Sequence, residues 1–379
     1  MPGTSTARSK RTVSDWAAPR GRGASARDIG SSIRYLGSKA RVAGEILRIV
    51  GPPPNPGSSF VDAFAGTGIV GREAAMQGWS VRLNDHLLCS SIMAAGVLVS
   101  SSEAAFDLFG GYAAAVRILN SSTPEQGFLW REYSPASAAF APVTRTYFTE
   151  ENAAFIDGAR KLIARWSAAG LLTSAEERLL IADLLAAASR VANTAGTFGC
   201  FLREWMPNAL QPAKLVTRDL LSHTGRVEVL NTDVHKVPMG PSDVAYFDPP
   251  YTKRQYAAYY HVLETIAHGD EPVVDGVTGL RPWRAKASDF CYRSRALTSI
   301  KRLVDGCSAQ RILLSYSSEG HVDLDSLRVA LAGLGDLKVH ALGEIGRYAP
   351  NTEARRAGST VSEYLLELNK PEGRLEQAA

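Results

Sequence analysis

Residues 58–79 run SSFVDAFAGTGIVGREAAMQGW. A short apolar run ends at Asp62, a turn built around Gly66 and Gly68 follows, and helical spacing sets in near Ile69. Strand, glycine turn and helix form the opening unit of a parallel α/β sheet. The glycines permit close backbone approach, and the first N–H groups of the helix favour an anionic ligand group. Nineteen residues after Gly66 comes Asp85, in VRLNDH, at the end of the next apolar run. An acid placed there in a dinucleotide-type fold accepts hydrogen bonds from ribose hydroxyls; Asn84-Asp85 equally suits a cap on a helix starting near His86. The loop from Ala63 to Gly68 spells A-F-A-G-T-G rather than GxGxxG, which points to a nucleoside-containing cofactor without a pyrophosphate.

Outward from this unit, short β-rich runs alternate with helical stretches. The strands expected are Ser59 to Ala63, Ser80 to Asn84, Val227 to Asn231, Val244 to Phe247, Arg311 to Tyr316, Leu337 to Leu342 and Ser362 to Leu368. Between the second and third lies a long segment, 101–226, with helical periods over Asn152 to Ala169 and Ala175 to Ala192. The expected architecture is therefore one α/β domain formed by residues 32–100 and 227–370, carrying 101–226 as a mainly helical insertion, with residues 1–31 as a disordered basic arm.

The chain has 379 residues, of which 45% are hydrophobic and 21% charged, enough for one large domain with an insertion. Its net charge of +4 resides in the arm, where six basic residues face two acidic ones. The rest is balanced, so any anion-binding face must come from local clustering. Leu179 to Ala192 is interrupted by Asp183 and Arg190, so no uninterrupted apolar run marks a membrane span. The four cysteines and seven histidines show no metal-ligand spacing, so no metal is expected, and a reducing, cytoplasmic location follows. The arm lacks the apolar core of a secretory signal, and it would add weak attraction to polyanions.

Two further stretches carry chemistry. SSIRYLGSKARVAGEIL places Tyr35 and Lys39 around a Gly-Ser turn leading into a helix. DVAYFDPPYTKRQYAAYYHVLET ends an apolar strand with Asp248, Pro249, Pro250 and Tyr251, a poor continuation for a sheet because two prolines fix φ and remove donors. The order of Tyr35 and Lys39, the DAFAGTG loop, Asp85, a long insertion and DPPY resembles the Dam-like, alpha-ordered family of adenine-specific DNA methyltransferases.

That resemblance implies a Rossmann-like sheet that binds S-adenosylmethionine and methylates the N6 of adenine flipped out of double-stranded DNA, in a restriction-modification or solitary role. It implies that Tyr35, Lys39, the Asp62 to Gly68 loop with Phe64, Gly66 and Gly68, Asp85 and Asp233 contact the cofactor. The exocyclic amine of adenine is a poor nucleophile because its lone pair is delocalised into the ring. The Asp248 carboxylate and the Pro249 carbonyl would accept its two N–H hydrogens and stabilise the positive charge that develops, Pro250 would keep the loop rigid, and Tyr251 would stack on the base. The segment after DPPY, with Arg254, Gln255, Tyr256, Tyr259, Tyr260 and His261, would line or support the target-base side; Tyr259, Val262, Leu263 and Ile266 suit a helix core equally well, and His261 suits helix packing.

For the nucleic acid, Lys253 and Arg254 lie near the reactive loop, Arg203 and Lys214 belong to the aromatic and basic stretch GTFGCFLREWMPNALQPAKL, and Arg355 and Arg356 follow Arg347 in RYAPNTEARRAGST. The segment 101–226 is expected to read the target sequence, and a cognate restriction endonuclease is an expected partner. Cytosine N4 in DNA, adenine in RNA and a non-catalytic nucleic-acid-binding module are the alternatives; a nicotinamide-dependent oxidoreductase leaves DPPY unexplained.

Overall fold

The computed structural model of the protein describes residues 35–55, 58–222, 225–346 and 360–371. The arm 1–31, along with Arg347, Arg355 and Arg356, lies outside the described residues. Seven strands form one sheet in the order β3-β2-β1-β4-β5-β7-β6. They are β1 Ser59–Asp62, β2 Ser80–Asn84, β3 Val227–Leu230, β4 Val244–Phe247, β5 Arg311–Ser317, β6 Asp336–Gly346 and β7 Thr360–Asn369. The first five are parallel, and β7 inserts antiparallel between β5 and β6.

The central strands are apolar on both faces because both faces are covered. Phe60, Tyr246, Leu313 and Leu365 point into one layer, packed against the helices Ala43–Val50 and Ile69–Met76. Phe247, Ile312, Leu314 and Leu366 point into the other, against the helices Ala296–Asp305 and Leu324–Ala332. Helix Ala43–Val50 buries Ala43, Ile46, Leu47 and Val50, the one-face spacing of an amphipathic helix, and stops at Gly51, whose φ is 78°.

A third apolar cluster joins the helical segment to the sheet domain. Helices Glu150–Ala168 and Ser174–Val191 share it with Leu88–Gly96 and His261–His268. Both long helices start at threonines: the Thr149 hydroxyl accepts from the Asn152 N–H, and Thr173 forms a capping box with Glu176. Leu179, Leu180, Leu184 and Leu185 are fully buried, which is why this helix is apolar nearly all round. Its Asp183 is buried too, 2.6 Å from an Nη of Arg218 and hydrogen-bonded to the Tyr112 hydroxyl. Removing either charge of such a pair strands the other in low dielectric, so the pair fixes how residues 112–120 and 218 dock on the helix. Among the described residues no helix is long and apolar enough to cross a membrane.

A candidate active site at the carboxyl ends of β1 and β4

From β1 the chain moves outward to β2 and β3, and β4 returns on the other side of β1 to lead toward β5. The carboxyl ends of β1 and β4 thus diverge, and a ligand crevice is expected at such a switch point. A cleft of about 280 Å³ opens there, lined by Tyr35, Lys39, the residues of the Asp62 to Gly66 turn, Asp85, Asp233 and Asp248 to Tyr251.

One half of the cleft is built from backbone. Gly66 and Gly68 have φ of 53° and 77°, the left-handed region that side chains disfavour. A Cβ on Gly68 would lie 2.7 Å from the Ala94 Cα, and one on Gly66 would lie 2.9 Å from the Tyr35 ring. Both glycines therefore allow neighbouring elements to close around the turn. The N–H of Gly66 donates to one Asp85 oxygen at 3.0 Å and the N–H of Leu87 to the other at 2.9 Å. Asp85 thus ties the glycine turn to the start of the next helix, Leu88–Gly96, lines the cleft, and keeps further acceptor capacity on each oxygen. Burial pushes its pKa up to about 6 against these two backbone bonds.

Asp62 is 1% exposed, and its Oδ1 has no hydrogen-bond partner among the described residues. Burial, and then the charge of Asp248, push its pKa well above the usual carboxylate range. Phe64 forms an apolar wall with edge contacts to Phe290 and Phe247 at 5.5 and 6.4 Å between centroids. Asp233 caps a short turn by accepting from the His235 N–H at 2.9 Å. Tyr35 stacks on Tyr260 at 4.7 Å and bonds Ser90 through its hydroxyl.

The other half is built from side-chain charge. Lys39 Nζ lies 3.2 Å from Asp248 Oδ1 and 3.1 Å from Glu363 Oε2, with its ammonium 5.2 Å from the centroid of the Tyr251 ring. Lys39, expected at the cofactor, is therefore in direct contact with the DPPY carboxylate at the rear of the same cleft. Burial raises Asp248 to about 6 while Lys39 pulls the other way. For Lys39, burial opposes the charge, yet Asp248, Tyr251 and Glu363 outweigh it and the ammonium is held well above its ordinary pKa. Tyr251 packs on Tyr316, and its carbonyl accepts from the His321 N–H at 2.9 Å.

The segment after DPPY mostly braces the other half. Tyr256 donates to the Leu36 carbonyl at 3.1 Å, and the Leu36 N–H donates to Tyr260 at 2.7 Å. Gln255 exchanges two hydrogen bonds with the Ser288 backbone, at 3.0 and 2.8 Å. His261 is buried, and burial pushes its pKa down to about 3, so its Nε2 donates as a neutral ring to the Phe198 carbonyl at 2.9 Å. Tyr259 accepts the Phe198 N–H through its carbonyl and lies against Gly199. Lys253 and Arg254 are exposed beside Tyr251, and Arg203 and Lys214 are exposed on the stretch that Phe198 anchors.

Glu264 and Glu363 were not found from sequence. Glu264 accepts from the N–H groups of Leu88 and Cys89 at 3.1 and 2.9 Å and from Lys286 at 2.7 Å, capping the helix that follows Asp85 from 176 residues away. Burial would raise its pKa, but His268, Lys286 and the Cys89 N–H hold it well below the usual range. Glu363 had a visible signal: in SEYLLELN it shares the face of Leu365, an acid in the middle of a buried strand. Among the described residues no group of acids, histidines and cysteines forms a metal site.

The donor set fits S-adenosylmethionine. Asp85 offers acceptors for two hydroxyls, the orphaned oxygen of Asp62 needs a donor such as an ammonium, and the two positive-φ glycines leave no side chain between backbone and ligand.

Residues 35–329 match the family described as D12 class N6 adenine-specific DNA methyltransferase. The chain is similar to the type II methyltransferase M.FokI of Planomicrobium okeanokoites, 31% identical over 317 residues, which cover 82% of this chain and 48% of that protein. It is similar to the modification methylase LlaI of Lactococcus lactis subsp. lactis, 32% identical over 330 residues, with 83% and 51% covered. Against the type II methyltransferase M.NlaIII of Neisseria lactamica it is 32% identical over 327 residues, with 82% and 90% covered. The chain thus spans about half the length of the first two and most of the third.

Proposed function

This chain belongs to the D12 class N6 adenine-specific DNA methyltransferase family, and from that premise we propose that it methylates the exocyclic N6 of a flipped adenine in double-stranded DNA. The observation that carries the reading is the placement of Asp248 and the Pro249 carbonyl at the end of β4, in the same cleft as Asp62, Gly66 and Asp85. S-adenosylmethionine supplies an electrophilic methyl group when bound. Asp85 would hold its ribose, Asp62 and the glycine turn its amino-acid end, and Phe64 with Asp233 its base.

On the target side, the Asp248 carboxylate and the Pro249 carbonyl accept the two amine hydrogens and draw the nitrogen lone pair toward tetrahedral geometry. As the N–C bond forms at the expense of the methyl–sulfur bond, whose electron pair stays on sulfur, the nitrogen becomes cationic and gives up one proton, for which the carboxylate of Asp248 would be the acceptor. Tyr251, held by Lys39 and Tyr316, offers a ring to the base. The segment 101–226 is proposed to read the target sequence, with Arg203, Lys214, Lys253 and Arg254 on DNA phosphates; a cytoplasmic location and a cognate endonuclease are proposed with it, supported by the likeness to proteins named as type II methyltransferases and a modification methylase.

The test is transfer of labelled methyl groups from S-adenosylmethionine to duplex DNA by the purified chain, with the modified nucleoside identified by mass spectrometry. N6-methyladenine made by the intact chain and absent with Asp248→Ala supports the reading. N4-methylcytosine, methylation of RNA only, or transfer that survives Asp248→Ala contradicts it.

A further inference from the structure

Glu363 arrives at the reactive carboxylate from β7, a strand that takes no part in the cofactor turn or in the DPPY loop. It and Asp248 share a single ammonium, Lys39 Nζ, at 3.1 and 3.2 Å, and the three side chains are only 10%, 15% and 5% exposed. Two carboxylates on one lysine leave a buried net negative charge, an arrangement that costs stability and calls for a reason. A lysine left to Asp248 alone would pair with it more tightly, and that ion pair, strong in a low-dielectric pocket, would compete with the target amine for the carboxylate's lone pairs.

We propose that Glu363 is a positioning residue for methyl transfer: by sharing the Lys39 ammonium from β7 it loosens the lysine's hold on Asp248 and leaves that carboxylate freer to accept from the target amine. The inference rests on the methyltransferase reading above. A second consequence concerns strength. Among the described residues the groups that face Asp248 are Lys39, Glu363, Asp62, Tyr246, Tyr251 and Tyr256; of these Lys39 is the cation and Glu363 is the acid that shares it. Glu363 therefore makes Asp248 a more basic acceptor, as Lys39 makes it a less basic one. Glu363 itself touches neither substrate nor cofactor; it acts through Lys39.

The experiment measures single-turnover methyl transfer against pH for the full chain and for Glu363→Gln, Glu363→Asp and Lys39→Met, with S-adenosylmethionine affinity and melting temperature recorded for each. With Glu363→Gln the expected plateau rate falls about 10- to 100-fold. Its acid limb moves to lower pH, because a negative neighbour of Asp248 has gone, while cofactor affinity stays within about threefold. Lys39→Met should move the limb the opposite way, and Glu363→Asp, which keeps the charge, should recover part of the lost rate. A Glu363→Gln enzyme with the intact plateau and limb overturns the inference. So does a loss of rate that only tracks lost melting temperature or cofactor binding, which would make Glu363 structural. No transfer by the intact chain would instead remove the reading on which the inference stands.

Discussion

Asp85 and Asp248 stand in opposite halves of one cleft, and burial pushes both to a pKa of about 6, yet they are held by different means. Asp85 is fixed by backbone N–H groups of Gly66 and Leu87, close to it in sequence or tied to it by adjacent strands. Asp248 is fixed by the side chain of Lys39, 209 positions earlier, which is in turn shared with Glu363. Backbone donors do not rearrange when a ligand arrives, so the first half is a preformed cradle. A lysine between two carboxylates can shift by a few tenths of an ångström, so the second half can adjust its charge to an incoming amine.

The largest separation of the two halves should come from Asp248→Ala. Methyl transfer is expected to fall by about a thousandfold or more, with S-adenosylmethionine affinity within about threefold of the intact chain in equilibrium binding. A parallel loss of affinity would mean that the halves are one unit. Asp85→Ala should do the reverse, weakening cofactor binding by about 10- to 100-fold, because it removes the acceptors and also leaves the Gly66 and Leu87 N–H groups unpaired.

A third separation uses pH. The Asp85 side chain accepts from two hydroxyls with both oxygens when ionised, and protonation turns one of those acceptors into a donor and removes the charge, so affinity is retained above its pKa and weakened below it. Lowering the pH from about 7.5 to about 5 should weaken cofactor binding about tenfold, with the dependence flattened in Asp85→Asn, as titration calorimetry would show. Unchanged slopes in that variant would move the dependence to another group. The smallest effect is on stability: Gly68→Ala, at a φ of 77° with Ala94 in its way, should cost about 1–3 kcal/mol in denaturant unfolding.

The same contrast explains what the sequence shows. All seven strands are legible as short β-rich runs, most plainly the central ones, whose burial on both faces writes an apolar run, and the glycine turn with Asp85 is legible because its chemistry is local. β6 extends beyond its apolar stretch, from Asp336 to Gly346, because β7 pairs with it along that length. The aromatic residues after DPPY carry no mark of their partners. Tyr256 and Tyr260 turn out to clamp Leu36, and only the fold brings positions 220 residues apart together. Glu264 and the Asp183–Arg218 pair escape for the same reason: each is a side-chain partnership across long sequence separation, to which no spacing rule applies. Glu363 is marked as an acid within an apolar strand, but its pairing with Lys39 is not.

The most direct test of the central claim, that Asp248 at the end of β4 activates an adenine amine, is single-molecule sequencing of DNA from a methylation-free bacterial host expressing the intact chain or its Asp248→Ala form. The account predicts N6-methyladenine in one recurrent sequence with the intact chain and none with the variant. The same modification from both, or none from either while folded, cofactor-binding protein is present, would contradict it.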